Sequence, residues 1–246
     1  MYKTSDLAKK FHLHPNTIRL YEAEHLIPKP KRKNNGYRVF TDLHVDQLSL
    51  LRLAFDVEVL QSGLRKEAVE IVKTSAQGEY DKALQLTKDY EVHLEKELER
   101  ALAVLQLAKN WQQGKKDHPS GGYYKRKEVS DLLGITMDAL RNWEMNGLLK
   151  VKRKDNGYRV YDEEDLETLQ IILALRRANY SLSAILRMLS SVAENKDVDL
   201  QITLDTPSPQ EEVVSACDAL LTSLKKAKEN AKEMEKTLKR MKKKRP

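Results

Sequence analysis

The chain has 246 residues, of which 40% are apolar, 33% charged and 6% aromatic, with a formal net charge of +7. This mixture excludes collagen-like, mucin-like and wholly disordered chains, and no apolar run approaches the ~18 residues a membrane helix needs. Cys217 is the single cysteine, which removes internal disulfides, thiolate metal clusters and cysteine-pair redox switches. The charge is unevenly placed: Lys225 to Pro246 carries eleven Lys or Arg against three Glu, so the rest of the chain is close to neutral. The start, Met1-Tyr2-Lys3-Thr4-Ser5-Asp6, runs straight into an amphipathic pattern. No secretory signal is expected, and the expected location is cytoplasmic.

In chain order, Thr4 is placed to cap a short helix carrying Leu7, Ala8 and Phe11. His12-Leu13-His14 reads as a turn, and Pro15 suits the first position of a second helix bearing Ile18, Leu20 and Tyr21 and ending near His25. Two short helices across a tight turn make a helix-turn-helix, whose second helix can enter a major groove. A hairpin follows, with Asn35-Gly36 as its two-residue turn. Lys29, Lys31, Arg32 and Lys33 precede that turn; Tyr37-Arg38-Val39-Phe40 follow it. Cations on both strands and an aromatic near the tip suit a wing lying along a phosphate backbone. An acidic-rich amphipathic stretch comes next. From Tyr80, apolar residues then step by four and three through Leu84, Thr87, Leu94, Leu98, Ala101, Leu105 and Ala108, with Glu91 as the one polar break, and predict a coiled-coil helix over 79–113. Gly114 and Pro119-Ser120-Gly121-Gly122 read as a linker over 114–122.

The second half repeats the first. Tyr2-Lys3 recurs as Tyr124-Lys125, Arg19 as Arg141, Tyr21 as Trp143, Glu22 as Glu144 and Leu26 as Leu148, all at an offset of 122. After one deletion, Lys33-Asn34-Asn35-Gly36-Tyr37-Arg38-Val39 lies over Lys154-Asp155-Asn156-Gly157-Tyr158-Arg159-Val160. The helices of the second copy are expected at about Lys127–Leu133 and Met137–Asn146, closed by Gly134 and Gly147. Lys150, Lys152, Arg153 and Lys154 precede its hairpin turn. Glu194 to Ser208 reads as a short loop. Ser208-Pro209-Gln210-Glu211 supplies a capping box and a first-turn proline for a final helix over 208–246. Its seam is Val213, Cys217, Leu220, Leu224, Ala227, Ala231, Met234, Leu238 and Met241.

The fold class that follows is mainly α with small β-wings: two winged helix-turn-helix domains, 1–75 and 123–193, each followed by a long coiled-coil-type helix. No enzyme chemistry is legible. The six histidines lack ligand spacing, with no H-E-x-x-H and no cysteine nearby, so no metal is expected. No phosphate-cradling glycine loop, nucleophile elbow or catalytic triad is present, and no cofactor is expected. Glu163-Glu164 suits the start of a helix.

Thr17-Ile18-Arg19-Leu20-Tyr21-Glu22, then Leu26-Ile27-Pro28-Lys29-Pro30, then Gly36-Tyr37-Arg38-Val39-Phe40 resemble the recognition helix and wing of the MerR-type transcriptional regulators. Ala139-Leu140-Arg141-Asn142-Trp143-Glu144, Gly147-Leu148-Leu149 and Gly157-Tyr158-Arg159-Val160-Tyr161 are a more diverged second match, lacking the proline after the Leu-Leu pair. In the first copy His25 stands where the family usually has glycine.

The resemblance implies sequence-specific binding of double-stranded promoter DNA, with RNA polymerase engaging a distorted promoter. It places Thr17, Arg19 and Tyr21 on the recognition helix, and Tyr37 and Arg38 on the wing, against phosphates and base edges. Arg141, Trp143, Tyr158 and Arg159 are the matching second-copy positions; Lys31, Arg32, Lys33, Arg153 and Lys154 add the wing cations. Arginine can bond guanine bidentately or grip phosphate, and tyrosine hydroxyls reach backbone oxygens. For Tyr21 and Trp143, packing under the wing is the competing role.

The resemblance also implies an antiparallel pair of long helices. Because each half carries its own helix, this pair can form within one chain as a pseudo-dimer or between two chains as a homodimer. Nothing of suitable size for a separate effector domain remains, and no effector-binding residue is assigned. Two other readings stay open: a DNA-organising or anchoring protein whose coiled coil takes a protein partner, and a protein that sequesters a small molecule between helices.

Overall fold

The computed structural model describes residues 1–57, 62–114, 122–150, 152–154, 157–207 and 216–244. Its helices divide into two compact units, one of Met1–Lys96 with Ser223–Pro246 and one of Glu97–Thr222.

The first unit begins with α1 (Thr4–Phe11) and α2 (Pro15–Ala23). Lys3, not Thr4, occupies the cap of α1, because the Asp6 carboxylate reaches back to accept the Lys3 backbone N–H at 2.8 Å. His14 caps α2 through its ring nitrogen, 3.2 Å from the Asn16 N–H, with Pro15 at the first turn as expected. The wing pairs β1 (Lys31–Arg32) with β2 (Arg38–Val39), Arg32 facing Arg38. Leu7, Phe11, Ile18, Ile27, Phe40 and Leu48 bury together as the core beneath it, and Tyr2 bridges to Phe40 through two backbone hydrogen bonds. Helices α3 (Asp42–Phe55) and α4 (Leu64–Ala76) follow. They are joined by Gln47, fully buried, which donates to the carbonyls of Leu26 and Val72 at 2.9 Å each and accepts from the Ser75 hydroxyl at 2.8 Å.

The wing turn differs from its expected form. Gly36 has φ +79°, whereas Asn35 is not among the residues with positive φ. The Gly36 N–H donates to the Lys33 carbonyl and the Lys33 N–H to the Tyr37 carbonyl. That is a three-residue loop closed by a left-handed glycine rather than a two-residue turn needing positive φ at both centres. Gly157, at φ +80°, closes the second wing through the matching pair of bonds; Asn156 lies outside the described residues.

The long helix α5 (Tyr80–Gly114) starts just after Gly78, which has φ +81°. Its buried stripe in the first unit runs Tyr80, Ala83, Thr87, Tyr90, Leu94. Ala83 and Tyr90 therefore hold the places expected of Leu84 and Glu91, which are half-buried one position round the helix. Tyr80, Thr87 and Leu94 keep their expected places, and a tyrosine ring takes the seam position beside the Glu91 carboxylate. Within the same unit lies most of α11 (Leu220–Lys243), with Leu224, Ala227, Ala231, Met234, Leu238 and Met241 buried as the heptad predicts. Lys228 bonds Glu95, and Lys242 bonds Asp81, so the two segments run antiparallel. Arg240 and Lys244 both reach Asp46, at 3.0 and 2.8 Å, and Asn230 donates to Asp56 at 3.0 Å.

The second unit repeats the winged architecture with α6 (Arg126–Leu133), α7 (Met137–Met145), β3 (Lys152–Arg153), β4 (Arg159–Val160), α8 (Glu163–Arg177) and α9 (Leu182–Glu194). Thr136 caps α7 by accepting the Ala139 N–H at 3.0 Å. The stretch expected as a loop contains α10 (Leu200–Asp205), where Asp199 caps the helix and Leu200 and Leu204 bury one turn apart. Arg187 holds it, donating to the carbonyls of Thr203, Leu204 and Asp218. Residues 216–219 form a turn, and Asp205 accepts the N–H groups of Leu221 and Thr222 at the start of α11. Asp205 therefore satisfies the helix start that the sequence assigned to Ser208-Pro209-Gln210-Glu211; that segment and Val213 lie outside the described residues.

Candidate nucleic-acid interface

Both recognition helices turn one face outward. On α2, Arg19 is exposed and donates to the Asn16 Oδ1 at 2.7 Å, Leu20 is 56% exposed and Thr17 is half-buried. On α7, Arg141 and Asn142 are exposed at the equivalent places. The helix ends match as well: His25 (φ +58°) takes the left-handed place that Gly147 (φ +78°) takes in the second copy. Histidine reaches that conformation more readily than most non-glycine residues, so the chain turns into the wing at the same point in both copies.

The wings carry the charge. Lys31, Arg32 and Lys33 are exposed, as are Arg153 and Lys154. Tyr37 and Tyr158 stand 71% and 73% exposed at the tips. Arg32 lies directly across from Arg38, and Arg153 across from Arg159. Like charges directly opposed on a hairpin destabilise it unless an anion lies between them. Part of that anion is built in: Glu22, on α2, meets Arg38 at 2.5 Å and Arg32 at 3.8 Å. In the second copy Glu144 bonds Arg126 and the Tyr161 hydroxyl, with Arg159 at 3.3 Å, while Arg153 across the wing donates to the Gly157 carbonyl at 3.1 Å. Burial, then the bond to Glu144, pushes the Tyr161 phenol up to about 12. Each glutamate thus ties its recognition helix to its wing.

Between the first helix and the wing of each copy lies an open cleft of about 680 Å³. Lys3, Arg19, Lys33 and Tyr37 line the first; Lys125, Arg126, Lys127 and Lys154 are among those lining the second. The helix-1 cations were not assigned from sequence, although the repeated Tyr-Lys pair marks their place.

The remaining candidate residues divide by burial. Tyr21 is half-buried against the core, and burial raises its phenol pKa. Trp143 is only 7% exposed. A ring so enclosed has little surface to offer a duplex, so packing is the role its position matches, in place of the contact implied by resemblance. Arg38 is partly enclosed by its bond to Glu22 and acts first to position the wing.

Comparison with known proteins agrees with this geometry. The model of the MerR HTH family of regulatory proteins matches residues 2–63 and 124–192, together just over half of the chain. The chain belongs to the MerR family. It is 47% identical over 53 residues to the HTH-type transcriptional regulator CueR of Salmonella typhi, covering 22% of this chain and 38% of that protein. It is 42% identical over 60 residues to the HTH-type transcriptional regulator AdhR of Bacillus subtilis, 24% of this chain and 43% of that one. With the nodulation protein NolA of Bradyrhizobium elkanii the figures are 37% over 59 residues, 24% and 27%. The chain thus spans less than half the length of these curated relatives. No solved structure is a significant match. Among the described residues no helix is long and apolar enough to cross a membrane.

Proposed function

We propose that this MerR-family chain is a sequence-specific regulator that binds double-stranded promoter DNA through both winged modules, residues 1–75 and 123–193. The carrying observation is the opposed arginine pair repeated in each wing, beside an exposed recognition helix and a cationic cleft. A phosphate supplies the anionic partner that one glutamate per wing leaves incomplete, and Lys31, Lys33, Arg153 and Lys154 extend the grip along the backbone. Arg19 and Arg141 are the base-reading candidates, with Thr17 beside the first; Tyr37, Tyr158, Arg38 and Arg159 are the wing contacts. RNA polymerase at the same promoter is the protein partner the family suggests.

The regulator acts as a single-chain pseudo-dimer in this reading. Support comes from the antiparallel pairing of Lys228 with Glu95 and Lys242 with Asp81 inside one compact unit. A tether raises the local concentration of the second helix to the millimolar range, which favours pairing within the chain.

Footprinting across a salt series tests the DNA reading. Discrete protected sites that weaken steeply with salt are expected; coating that depends only on DNA length would replace the regulator by a DNA-organising protein. Arg19→Ala should weaken operator binding by about 1–3 kcal/mol with the fold intact. Mass measurement in dilute solution separates the assemblies: a species of 28.4 kDa is expected, and twice that would make it a homodimer.

A further inference from the structure

We infer that the two recognition helices read unlike half-sites, so that the operator of this chain is not a palindrome; the inference rests on the DNA-binding reading above. An oligomer of identical modules reads a two-fold symmetric site because each half presents the same side chains. Here the outward faces share one reader and differ around it. Arg19 and Arg141 occupy equivalent exposed positions, and an arginine there suits a guanine edge. One residue on, α2 presents Leu20, 56% exposed, where α7 presents Asn142, also exposed.

Leucine has no hydrogen-bonding group, and its apolar surface suits the thymine methyl. Asparagine can bond the N6 and N7 edge of adenine with both ends of its amide. The Asn142 side chain is oriented from one turn on: Asn146 Nδ2 donates to the Asn142 carbonyl at 2.8 Å and lies 3.3 Å from its Oδ1. At the position before each reader's turn, Asn16 orients Arg19 through its 2.7 Å bond, while the second copy has Asp138. A neutral amide can donate or accept at a base edge, whereas the Asp138 carboxylate only accepts, as a cytosine amino group requires, and repels a nearby phosphate. The two halves therefore share a guanine and diverge on either side of it.

Selection of bound duplexes from a randomised pool, with the full-length chain and with Leu20→Asn and Asn142→Leu variants, tests this. The expected consensus has two different halves. Leu20→Asn should change base preference about ten-fold in one half alone, and Asn142→Leu about ten-fold in the other alone, with thermal midpoints unchanged because both side chains are exposed. A symmetric consensus would overturn the inference and leave the DNA reading standing. So would a Leu20→Asn change that appears in both halves together, the mark of two first modules on one site. If no duplex is enriched even at low salt, the inference falls together with the reading it rests on.

Discussion

At the scale of single residues, two buried polar groups hold the first module in shape. Gln47 answers two carbonyls from different parts of the chain and a serine hydroxyl. An apolar residue of similar size leaves those acceptors dry, and each costs about 1–3 kcal/mol. Gln47→Leu should therefore lower stability by about 3 kcal/mol, measured by urea unfolding. His44 is the second group. Its Nδ1 accepts the Thr41 N–H at 3.1 Å, which requires an unprotonated nitrogen. Burial lowers its pKa from the ordinary imidazole value, against the opposing pull of the Pro28 backbone and the Glu22 carboxylate. The folded chain thus takes up this proton less readily than the unfolded chain. Its contribution to stability is complete above the unfolded pKa of about 6.5 and is lost as pH falls through that value towards the lower folded one. Urea unfolding from pH 7.5 to 5.5 should show that decline, and His44→Gln, which keeps an acceptor for Thr41, should flatten it relative to the parent.

At the scale of elements, the repeat and its punctuation were readable because they depend on local chemistry. Pro15 at a helix start, and Gly134 and Gly147 at helix ends, each stand where the sequence puts them, and the wing strands flank the Asn-Gly pairs. What depends on distant partners was not readable. In the first unit two seam positions of α5 fall one residue early, at Ala83 and Tyr90, because burial is decided by what packs against the helix, and a run with apolar or neutral residues at 83, 84, 86 and 87 fits two adjacent registers. Helix α10 escaped notice because six residues carry little periodicity; its Asp199 cap and its Arg187 clasp are tertiary facts. Trp143 aligned with Tyr21, but alignment does not report enclosure. His25 pays a steric cost in the left-handed region that glycine avoids, of the order of 1–2 kcal/mol before the flexibility glycine adds to the unfolded chain. His25→Gly should raise stability by about 0.5–1 kcal/mol in denaturant titrations.

At the scale of the whole molecule, the basic C-terminal segment changes its meaning once its partners are seen. From sequence it reads as a cationic tail; in the fold Arg240 and Lys244 converge on Asp46, Lys242 on Asp81 and Lys228 on Glu95. These four cations of the segment are therefore engaged with carboxylates of the first unit, whereas Lys225, Lys226, Lys232 and Lys243 on the same helix are exposed. Exposed pairs of this sort contribute modestly each, but they fix the direction in which the helix lies.

Trp111 and Trp143 are the chain's two indoles, and both belong to the unit spanning Glu97–Thr222. Tryptophan emission, excited selectively over the tyrosines, is thereby a built-in reporter of that half, while far-ultraviolet dichroism sums the helices of both. If the two halves melt as one, the emission and dichroism curves will superimpose; if the half bearing α1 to α4 yields at a different temperature, only the dichroism trace will register the event.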